Sequence, residues 1–164
     1  MGKITAPAPI TAAHIAVNFD CGADSLNIWL KKHAYKNEGT GASRTFVVCK
    51  DNHVIGFYAL ATGSIAPQDT PGRIRRKMPN PIPVMILGRL AVDCDWQANG
   101  IGSGLLKDAL LRTLGVSKQV GIRALLVHTL SEEAKAFYLR HGFSESPIDP
   151  FTLLLCLKDI PGAL

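Results

Sequence analysis

The residue pattern with the clearest chemical meaning in this 164-residue chain is a glycine-rich turn, QANGIGSG, at residues 97–104. The apolar run before it, residues 84–92, is typical of a strand buried on both faces. The segment after it, residues 105–111, has the apolar spacing of an amphipathic helix. A glycine loop at a helix N-terminus offers free backbone N–H groups and the positive end of the helix dipole, which together favour a phosphate. We therefore interpret the turn as a phosphate site, and our hypothesis is that it holds the pyrophosphate of a coenzyme.

The elements around this turn predict an α/β fold with a mixed sheet. The expected order is strand, helix, three strands, helix, strand, helix and two strands. A hairpin turn is expected at residues 50–53. The predicted strands are a short one before residue 18, then residues 44–49, 54–63, 84–92 and 123–129, and finally residue 143 and residues 152–157.

The first helix is predicted to begin at Asp24, a typical N-cap, and to run to about Lys36, where the glycines of residues 39–41 end it. The residues predicted to face inward are Leu26, Trp29, Leu30 and His33. The second helix follows the glycine turn and is expected to reach about Val120.

The third helix has its expected N-cap at Ser131, with acidic residues next to it that favour the positive end of the helix dipole. Gly142 is expected to end this helix.

The charge of the chain indicates an anionic partner. The formal net charge is +5, and the basic residues cluster at 31–36 and again at 73–77. The second cluster lies within residues 67–83, a segment with five prolines that predicts a long loop containing one short helical turn. Loops of this length in compact domains are usually functional or mobile.

Composition excludes several other classes of protein. With 47% hydrophobic and 19% charged residues, the chain is expected to form one globular domain over residues 1–164. No apolar run reaches the ~18 residues that cross a bilayer, so no membrane partner is expected. The four cysteines are widely spaced and the five histidines scattered, which indicates no metal site, no disulfide framework and a reducing, cytoplasmic compartment.

Two motifs together resemble the GNAT family of acetyl-coenzyme A N-acyltransferases. The glycine turn matches that family's Gln/Arg-x-x-Gly-x-Gly/Ala pattern, and residues 134–143 match its Ala-x-x-x-Tyr-x-x-x-Gly-Phe pattern. The resemblance implies an α/β acyltransferase fold with a splayed central sheet flanked by helices, and acetyl-CoA as co-substrate with no metal. Ser131 stands where that family often has Asn. The cofactor-binding residues that the resemblance implies are Leu90, Ala91 and Val92 for the pantetheine arm, Gln97, Ala98, Asn99, Gly100, Ile101, Gly102, Ser103 and Gly104 for the pyrophosphate, and Ser131 and Phe137 beside the arm.

Tyr138 is the candidate catalytic residue, because it occupies the tyrosine of the second motif. Acyl transfer from a thioester expels a thiolate, and a hydroxyl at the sulfur can act as its general acid. Without the motif, a core aromatic on an amphipathic helix would be the simpler interpretation of this residue.

The sequence offers no obvious general base, and this favours one class of acceptor. A lysine amine, with a pKa of about 10.4, would need a nearby carboxylate, whereas an α-amino group at about 7.7–8.0 is already partly neutral. The strand next to the coenzyme has Arg89 and no carboxylate before Asp93. An α-amine on an anionic carrier is therefore favoured, although Glu132, Glu133 or His128 could still act as the base.

Further blocks resemble the GNAT toxins of bacterial type II toxin–antitoxin modules. The blocks are residues 2–7, 42–49, 56–64, 75–84 and 89–93, and they lie largely outside the coenzyme motifs. The resemblance implies acetylation of aminoacyl-tRNA at its α-amino group, which inhibits translation. It also implies a homodimer and a ribbon–helix–helix antitoxin, with operator DNA bound through the complex. In this interpretation the residues that contact tRNA phosphates are Lys36, Arg73, Arg75, Arg76, Lys77 and Arg89.

Two other functions stay open from the sequence alone. One is a GNAT enzyme that acetylates a small amine or a protein N-terminus, and the other is a module that only binds nucleic acid or a repressor. Cys94 could carry an acetyl group but is expected to be a buried structural thiol, and His128 is expected to be a core residue. Trp29 and Trp96 are expected to pack rather than to bind RNA.

Overall fold

The computed structural model describes residues 3–160, and its strands and helices confirm the predicted mixed α/β class. The strands of this part of the chain form one sheet in the order β1-β2-β3-β4-β5-β7-β6. The β4–β5 pair is parallel, whereas the β1–β2, β2–β3, β5–β7 and β6–β7 pairs are antiparallel. The strands are β1 (Ala8–Pro9), β2 (Arg44–Lys50), β3 (His53–Ile65), β4 (Ile82–Val92), β5 (Ala124–His128), β6 (Ser144–Glu145) and β7 (Thr152–Cys156).

Helical segments lie between these strands in the predicted order, except that β2–β3 and β6–β7 follow one another without a helix. Short 3₁₀ turns cover Pro67–Asp69, Cys94–Trp96 and Leu157–Asp159. The helices are α1 (Asp24–Trp29), a π-helical segment (Leu30–Ala34), α2 (Tyr35–Thr40), α3 (Gly72–Arg75), α4 (Ile101–Ser117) and α5 (Glu132–Arg140).

The chain divides into two compact units. The first unit contains residues up to 61 together with 88–109, and the second contains residues 62–87 together with those from 110 onwards. The strands β3 and β4 and the helix α4 therefore each contribute residues to both units. Gly2, the first residue of one toxin-like block, lies outside the described residues.

The first unit is built on the β2–β3 hairpin, whose predicted turn is confirmed. Asp51 and Asn52 have φ angles of 52° and 65°, the left-handed pair that a tight hairpin turn requires. Phe57 of β3 is fully buried, stacks on Trp29 at 5.9 Å between ring centroids, and meets Phe19 edge-on at 5.5 Å. The core of this unit therefore contains a group of three aromatic rings among mostly aliphatic side chains.

The first helical region differs from its prediction in length and in its buried face. Helix continues to Thr40, beyond Lys36, and ends at Gly41 with a φ of 80°. His33 was expected to face inward but is exposed, while Ala34 is fully buried. The cause is the π-helical segment, since each π-type turn contains about one more residue than an α turn and moves the inward position one residue along.

The second unit contains the parallel β4–β5 pair, which joins residues 84–87 to residues 124–127. The predicted helical turn in the proline-rich loop is confirmed as α3. The expectation that regular strand is absent up to Pro83 was wrong, because β4 begins at Ile82. Proline is tolerated near a strand end, where its fixed φ suits extended backbone, and the Pro83 carbonyl accepts a hydrogen bond from the Arg123 N–H at 2.9 Å.

Several boundaries differ slightly from their predictions. α4 starts at Ile101, so the last four residues of the predicted turn form its first helical turn, and it ends at Ser117 rather than near Val120. Phe143 was predicted to be in a strand; it precedes β6 and is buried. Within residues 3–160, no helix is long and apolar enough to cross a membrane, and no group of three or more His, Cys, Asp or Glu side chains could hold a metal ion.

Candidate active site

The glycine turn presents N–H groups that have no partner within the helix at the start of α4. Ala98 and Gly100 have φ angles of 66° and 79°, and these two left-handed residues turn the chain into the helix. The first hydrogen bond of the helix runs from the Gly104 N–H to the Gly100 carbonyl at 3.0 Å. The N–H groups of residues 101–103 therefore have no partner within α4, and they are the donors that a phosphate needs.

Gln97 braces this turn with its side chain. Its amide nitrogen donates to the Val92 carbonyl at 2.9 Å and to the Cys21 carbonyl at 3.2 Å. The motif glutamine is thus used inside the protein, and the backbone of the turn remains for a ligand. The amide of Asn99 donates to the Trp96 carbonyl at 3.2 Å, which tightens the same loop.

Asp93 fixes the segment between β4 and the turn. Its two carboxylate oxygens accept hydrogen bonds from the Asp95 N–H at 2.9 Å and from the Asp20 N–H at 3.0 Å. The first carboxylate after the strand is therefore already satisfied by backbone donors, which makes it a poor candidate for a general base.

The second half of β4 extends past its parallel partner. The last registered pair is Leu87 with Val127, and in the described part of the chain β4 continues to Val92. Leu90 and Val92 are half-buried and Ala91 is buried. Backbone that runs on beyond a paired stretch can accept an extended ligand as an added strand.

Cys94 contradicts its prediction, because it is exposed rather than buried. Its pKa is raised by desolvation and by the nearby carboxylates of Asp20, Asp93 and Asp95. The thiol is therefore held in its less nucleophilic protonated form, which argues against an acetyl-cysteine route.

Tyr138 lies in an aromatic cluster of the second unit. It is 5% exposed, and its ring meets those of Phe137 and Phe143 edge-on at 5.1 Å and 5.2 Å. Within residues 3–160 its hydroxyl makes no hydrogen bond. Burial raises the pKa of this phenol above its ordinary value, so the hydroxyl stays protonated and able to donate.

The ends of α5 are organised as predicted. The Ser131 hydroxyl oxygen accepts a hydrogen bond from the Ala134 N–H at 3.1 Å, which confirms the N-cap. At the other end, His141 Nδ1 donates to the Phe137 carbonyl at 2.8 Å, and Gly142 has a φ of 93°. The Ser131 hydroxyl proton has no acceptor among residues 3–160.

His128 is exposed, so the expectation of a core histidine was wrong. Its Nδ1 lies 2.9 Å from the Thr152 hydroxyl, which donates to an Asp149 carboxylate oxygen at 2.8 Å. The pKa of Asp149 is lowered, chiefly by the Phe151 N–H and then by Thr152. The histidine is tethered at one nitrogen, and nothing in the sequence indicated this contact because His128 and Thr152 are 24 residues apart.

The basic loop of residues 73–77 divides into internally bonded and free side chains. Arg73 pairs with Asp159 through two hydrogen bonds, and Arg75 donates to the Thr70 carbonyl at 2.7 Å. Arg76 and Lys77 are exposed, and their side chains make no hydrogen bond or ion pair within the described residues. The free positive charge of the loop therefore lies at Arg76 and Lys77.

Arg123, which sequence reasoning missed, supports this loop. Its Nε donates to the Ile74 carbonyl at 3.0 Å, and a terminal nitrogen donates to the Arg73 carbonyl at 3.0 Å. Such bonds satisfy carbonyls that a short helix leaves free.

The remaining predicted cations lie in the first unit. Lys36 is exposed on α2. Arg89 of β4 is half-buried, with its guanidinium carbon 4.5 Å from the centre of the Trp29 ring. Trp29 packs as predicted, and Trp96 is half-buried with the Lys50 ammonium 5.3 Å from its ring centre.

Comparison with protein families decides the class of this chain. The model of the acetyltransferase (GNAT) domain family matches residues 41–145. This chain belongs to the GNAT acetyltransferase family. The matched range contains both the glycine turn and the tyrosine motif, so the GNAT assignment rests on the same elements that the sequence singled out.

Relatives of this GNAT acetyltransferase are toxins. It is 48% identical over 159 residues to the tRNA-acetylating toxin of Mycobacterium tuberculosis, covering 97% of this chain and 96% of that protein. It is also 32% identical over 158 residues to the probable toxin TacT of Sinorhizobium fredii, covering 90% and 87%.

Solved structures with the same fold include those of KacT and of the toxin AtaT. A tyrosine-to-phenylalanine variant of KacT matches with a TM-score of 0.90 and 30% identity, covering 95% of this chain and 96% of that one. AtaT complexed with acetyl-methionyl-tRNAfMet matches with a TM-score of 0.88, 29% identity and the same coverage. The AtaT–AtaR complex bound to DNA matches with a TM-score of 0.77 and 28% identity, covering 94% and 95%.

Proposed function

We propose that this GNAT acetyltransferase is a toxin that transfers an acetyl group from acetyl-CoA to the α-amino group of aminoacyl-tRNA and so inhibits translation. The observation that carries the proposal is the 48% identity, over 97% of the chain, to the tRNA-acetylating toxin. The AtaT neighbour, solved with acetyl-methionyl-tRNAfMet, supports an acetylated aminoacyl-tRNA as the product.

The turn and β4 bind the co-substrate in this proposal. The N–H groups of residues 101–103 hold the pyrophosphate, while Gln97 and Asn99 keep the loop in shape through their own hydrogen bonds. The backbone of residues 90–92 holds the pantetheine arm, with Ser131 and Phe137 beside it. The free N–H groups and the left-handed Ala98 and Gly100 support this fit, since they leave the loop backbone open to a phosphate.

Tyr138 acts as the general acid. Acetyl-CoA supplies the acetyl group as a thioester. The neutral α-amine forms a bond to the carbonyl carbon, the carbon–sulfur bond breaks, and the Tyr138 hydroxyl gives its proton to the sulfur. The amine loses its own proton to water, and water returns a proton to Tyr138. The protonated state of the buried phenol supports this role.

The basic side chains bind the RNA. Arg76 and Lys77 carry the free charge of the basic loop, and Lys36 and Arg89 add charge from the first unit. Arg73 and Arg75 also carry positive charge, but their side chains are held by internal hydrogen bonds. We therefore propose that they mainly maintain the conformation of the loop. Contacts of this kind make binding fall steeply with salt.

Partners of the toxin follow from the same relatives. The AtaT neighbour forms a complex with AtaR on DNA, which supports an antitoxin that covers this chain and binds operator DNA with it. We propose a ribbon–helix–helix fold for this antitoxin, a homodimer for the toxin, one GNAT domain over residues 1–164, and action in the cytoplasm, where charged tRNA is used.

A labelled transfer assay tests the proposal. Purified protein is incubated with labelled acetyl-CoA and with either charged or deacylated tRNA. Label that appears on charged tRNA alone supports the proposal. Label on free amines or on protein N-termini would show a different GNAT acceptor, and no label with any acceptor would favour a module that only binds.

A further inference from the structure

Arg89 is a partly desolvated cation whose donors are unused. Its side chain is half-buried, and burial lowers its pKa, although it remains charged. An arginine offers five N–H donors. Among residues 3–160, no carboxylate pairs with this guanidinium and no acceptor takes a hydrogen bond from it. Leaving a partly desolvated charge without a partner costs free energy, and an anionic ligand removes that cost.

The contrast with other arginines strengthens this point. Arg73 is paired with Asp159, Arg75 donates to a carbonyl, and Arg44 donates to the Glu38 carbonyl at 2.7 Å. Each of these side chains already has an acceptor.

One aromatic ring holds the Arg89 head group. The guanidinium carbon is 4.5 Å from the centre of the Trp29 ring, within the range of a cation–π contact. This contact uses the charge of the guanidinium and leaves its N–H donors free. Ala91, two residues along β4 and so on the same face as Arg89, belongs to the core cluster that also contains Trp29.

Trp29 is itself immobilised. It is 7% exposed and stacks on Phe57 with an angle of 11° between the ring planes. Phe57 is fully buried in β3. The stack Phe57–Trp29–Arg89 therefore connects the rigid sheet to a cation one residue before the backbone that we assign to the pantetheine arm.

We propose that Trp29 is a positioning residue that presents the forked donors of Arg89 to one backbone phosphate in the 3′-terminal strand of the acceptor RNA. Preorganising the arginine lowers the entropy lost when the phosphate binds. The inference rests on the proposed function, because it needs an RNA acceptor, and it goes beyond that function by joining a buried tryptophan to substrate affinity.

Steady-state kinetics with charged tRNA test the pair. The variants are Arg89→Gln, Arg89→Lys, Trp29→Leu, Trp29→Phe and the double variant Trp29→Leu/Arg89→Gln, and Arg44→Gln is the matched control for loss of one charge. We expect Arg89→Gln to raise KM for charged tRNA about tenfold and Trp29→Leu about threefold, with KM for acetyl-CoA unchanged. Arg89→Lys, which lacks the fork, is expected to recover only part of the loss, whereas Trp29→Phe keeps a ring face and stays near wild type.

The double variant shows whether Trp29 positions Arg89 or only packs in the core. If Trp29 acts through Arg89, the double variant has the KM of Arg89→Gln alone, and Arg89→Gln lowers the slope of log affinity against log salt by about 0.7. The inference would be overturned if the KM increases of the two single variants multiplied in the double variant. It would also be overturned if Trp29→Leu lowered the melting temperature and left KM for charged tRNA unchanged.

The same kinetic data show whether Arg89 binds a phosphate of the tRNA or of the coenzyme. A rise in KM for acetyl-CoA instead of KM for tRNA would show that Arg89 serves the coenzyme and would overturn the inference. A wild-type protein that labels no charged tRNA would reject the proposed function itself. Normal labelling by the wild type with unchanged KM in Arg89→Gln would reject this inference alone.

Discussion

At the scale of single residues, burial gives Tyr138 the properties of a proton donor. Its hydroxyl is attached to a ring packed between Phe137 and Phe143, and it has no hydrogen-bond partner among the described residues. A phenol in such a setting stays neutral and keeps its proton for a group that develops negative charge beside it.

Replacing Tyr138 with Phe removes the hydroxyl group and keeps the ring. We expect kcat to fall about a hundredfold or more, while the melting temperature and the affinity for acetyl-CoA change little, since the ring and its contacts remain. Stopped assays with labelled acetyl-CoA and calorimetric binding measure the two properties. Full turnover in the variant would rule out the general-acid role.

The pH dependence of the reaction has a predictable sign. The Tyr138 pKa is raised above its ordinary value of 10.0, so the acid form persists through about pH 10. The α-amine must be neutral, so kcat/KM should rise to about pH 8 and then stay level to about pH 10. The measurement needs a charged tRNA with an amide in place of its labile ester. A falling limb that begins below about pH 9 would contradict the assignment.

At the scale of elements, the glycine turn depends on backbone conformation as well as on small size. Gly100 has a φ of 79°, whereas Gly115 lies inside α4, and added Cβ atoms at both positions would meet open space. The two glycines therefore differ in conformation rather than in room for a side chain.

Substitution by Ala should thus have opposite effects at these two glycines. Gly100→Ala forces a left-handed alanine, which costs about 1–2 kcal/mol and disturbs the start of α4, so KM for acetyl-CoA should rise. Gly115→Ala should raise the free energy of unfolding by about 0.5–1 kcal/mol with normal kinetics. Thermal unfolding and acetyl-CoA titration measure both, and equal effects at the two sites would argue against this explanation.

The proline-rich loop contains two kinds of basic residue. The Arg73–Asp159 pair and the Arg123 bonds to carbonyls of residues 73 and 74 hold α3. Arg76 and Lys77 follow α3, and their head groups have no hydrogen-bond or ion-pair partner among residues 3–160. The contribution of this loop to RNA affinity should therefore come mainly from Arg76 and Lys77.

Neutralising Arg76 and Lys77 together should raise KM for charged tRNA and lower the salt slope by about 1.4, or 0.7 for each lost phosphate contact on single-stranded RNA. Arg73→Gln should have a smaller effect on the salt slope, because that charge is already paired with Asp159. Rates measured over a series of salt concentrations distinguish the two variants. A larger slope change for Arg73→Gln would reverse the assignment.

At the scale of the whole molecule, the strands β3 and β4 and the helix α4 contribute residues to both compact units. We expect one cooperative unfolding transition, because neither unit can lose these elements without affecting the other. Differential scanning calorimetry should give equal calorimetric and van't Hoff enthalpies, and acetyl-CoA should raise the melting temperature. Two separate transitions would contradict the single-domain proposal.

Local sequence was enough to predict the order of the elements, the hairpin at residues 50–53, the Ser131 cap and the glycine turn before α4. These features depend on local preferences: apolar periodicity, turn residues, and the free N–H groups that any helix start leaves. The motif spacing of residues 97–102 and 134–143 was also sufficient to predict the family that the comparison confirmed.

Which side chains remain free to act depends on how the chain packs in three dimensions. Ala34 rather than His33 lies in the core because of a π-type turn, which no residue pattern predicted. The exposure of Cys94 and His128, the internal bonds of Arg73 and Arg75, and the Trp29–Arg89 contact all depend on residues distant in sequence. Local preference selects the elements, whereas the partners of a side chain are set when distant segments pack together.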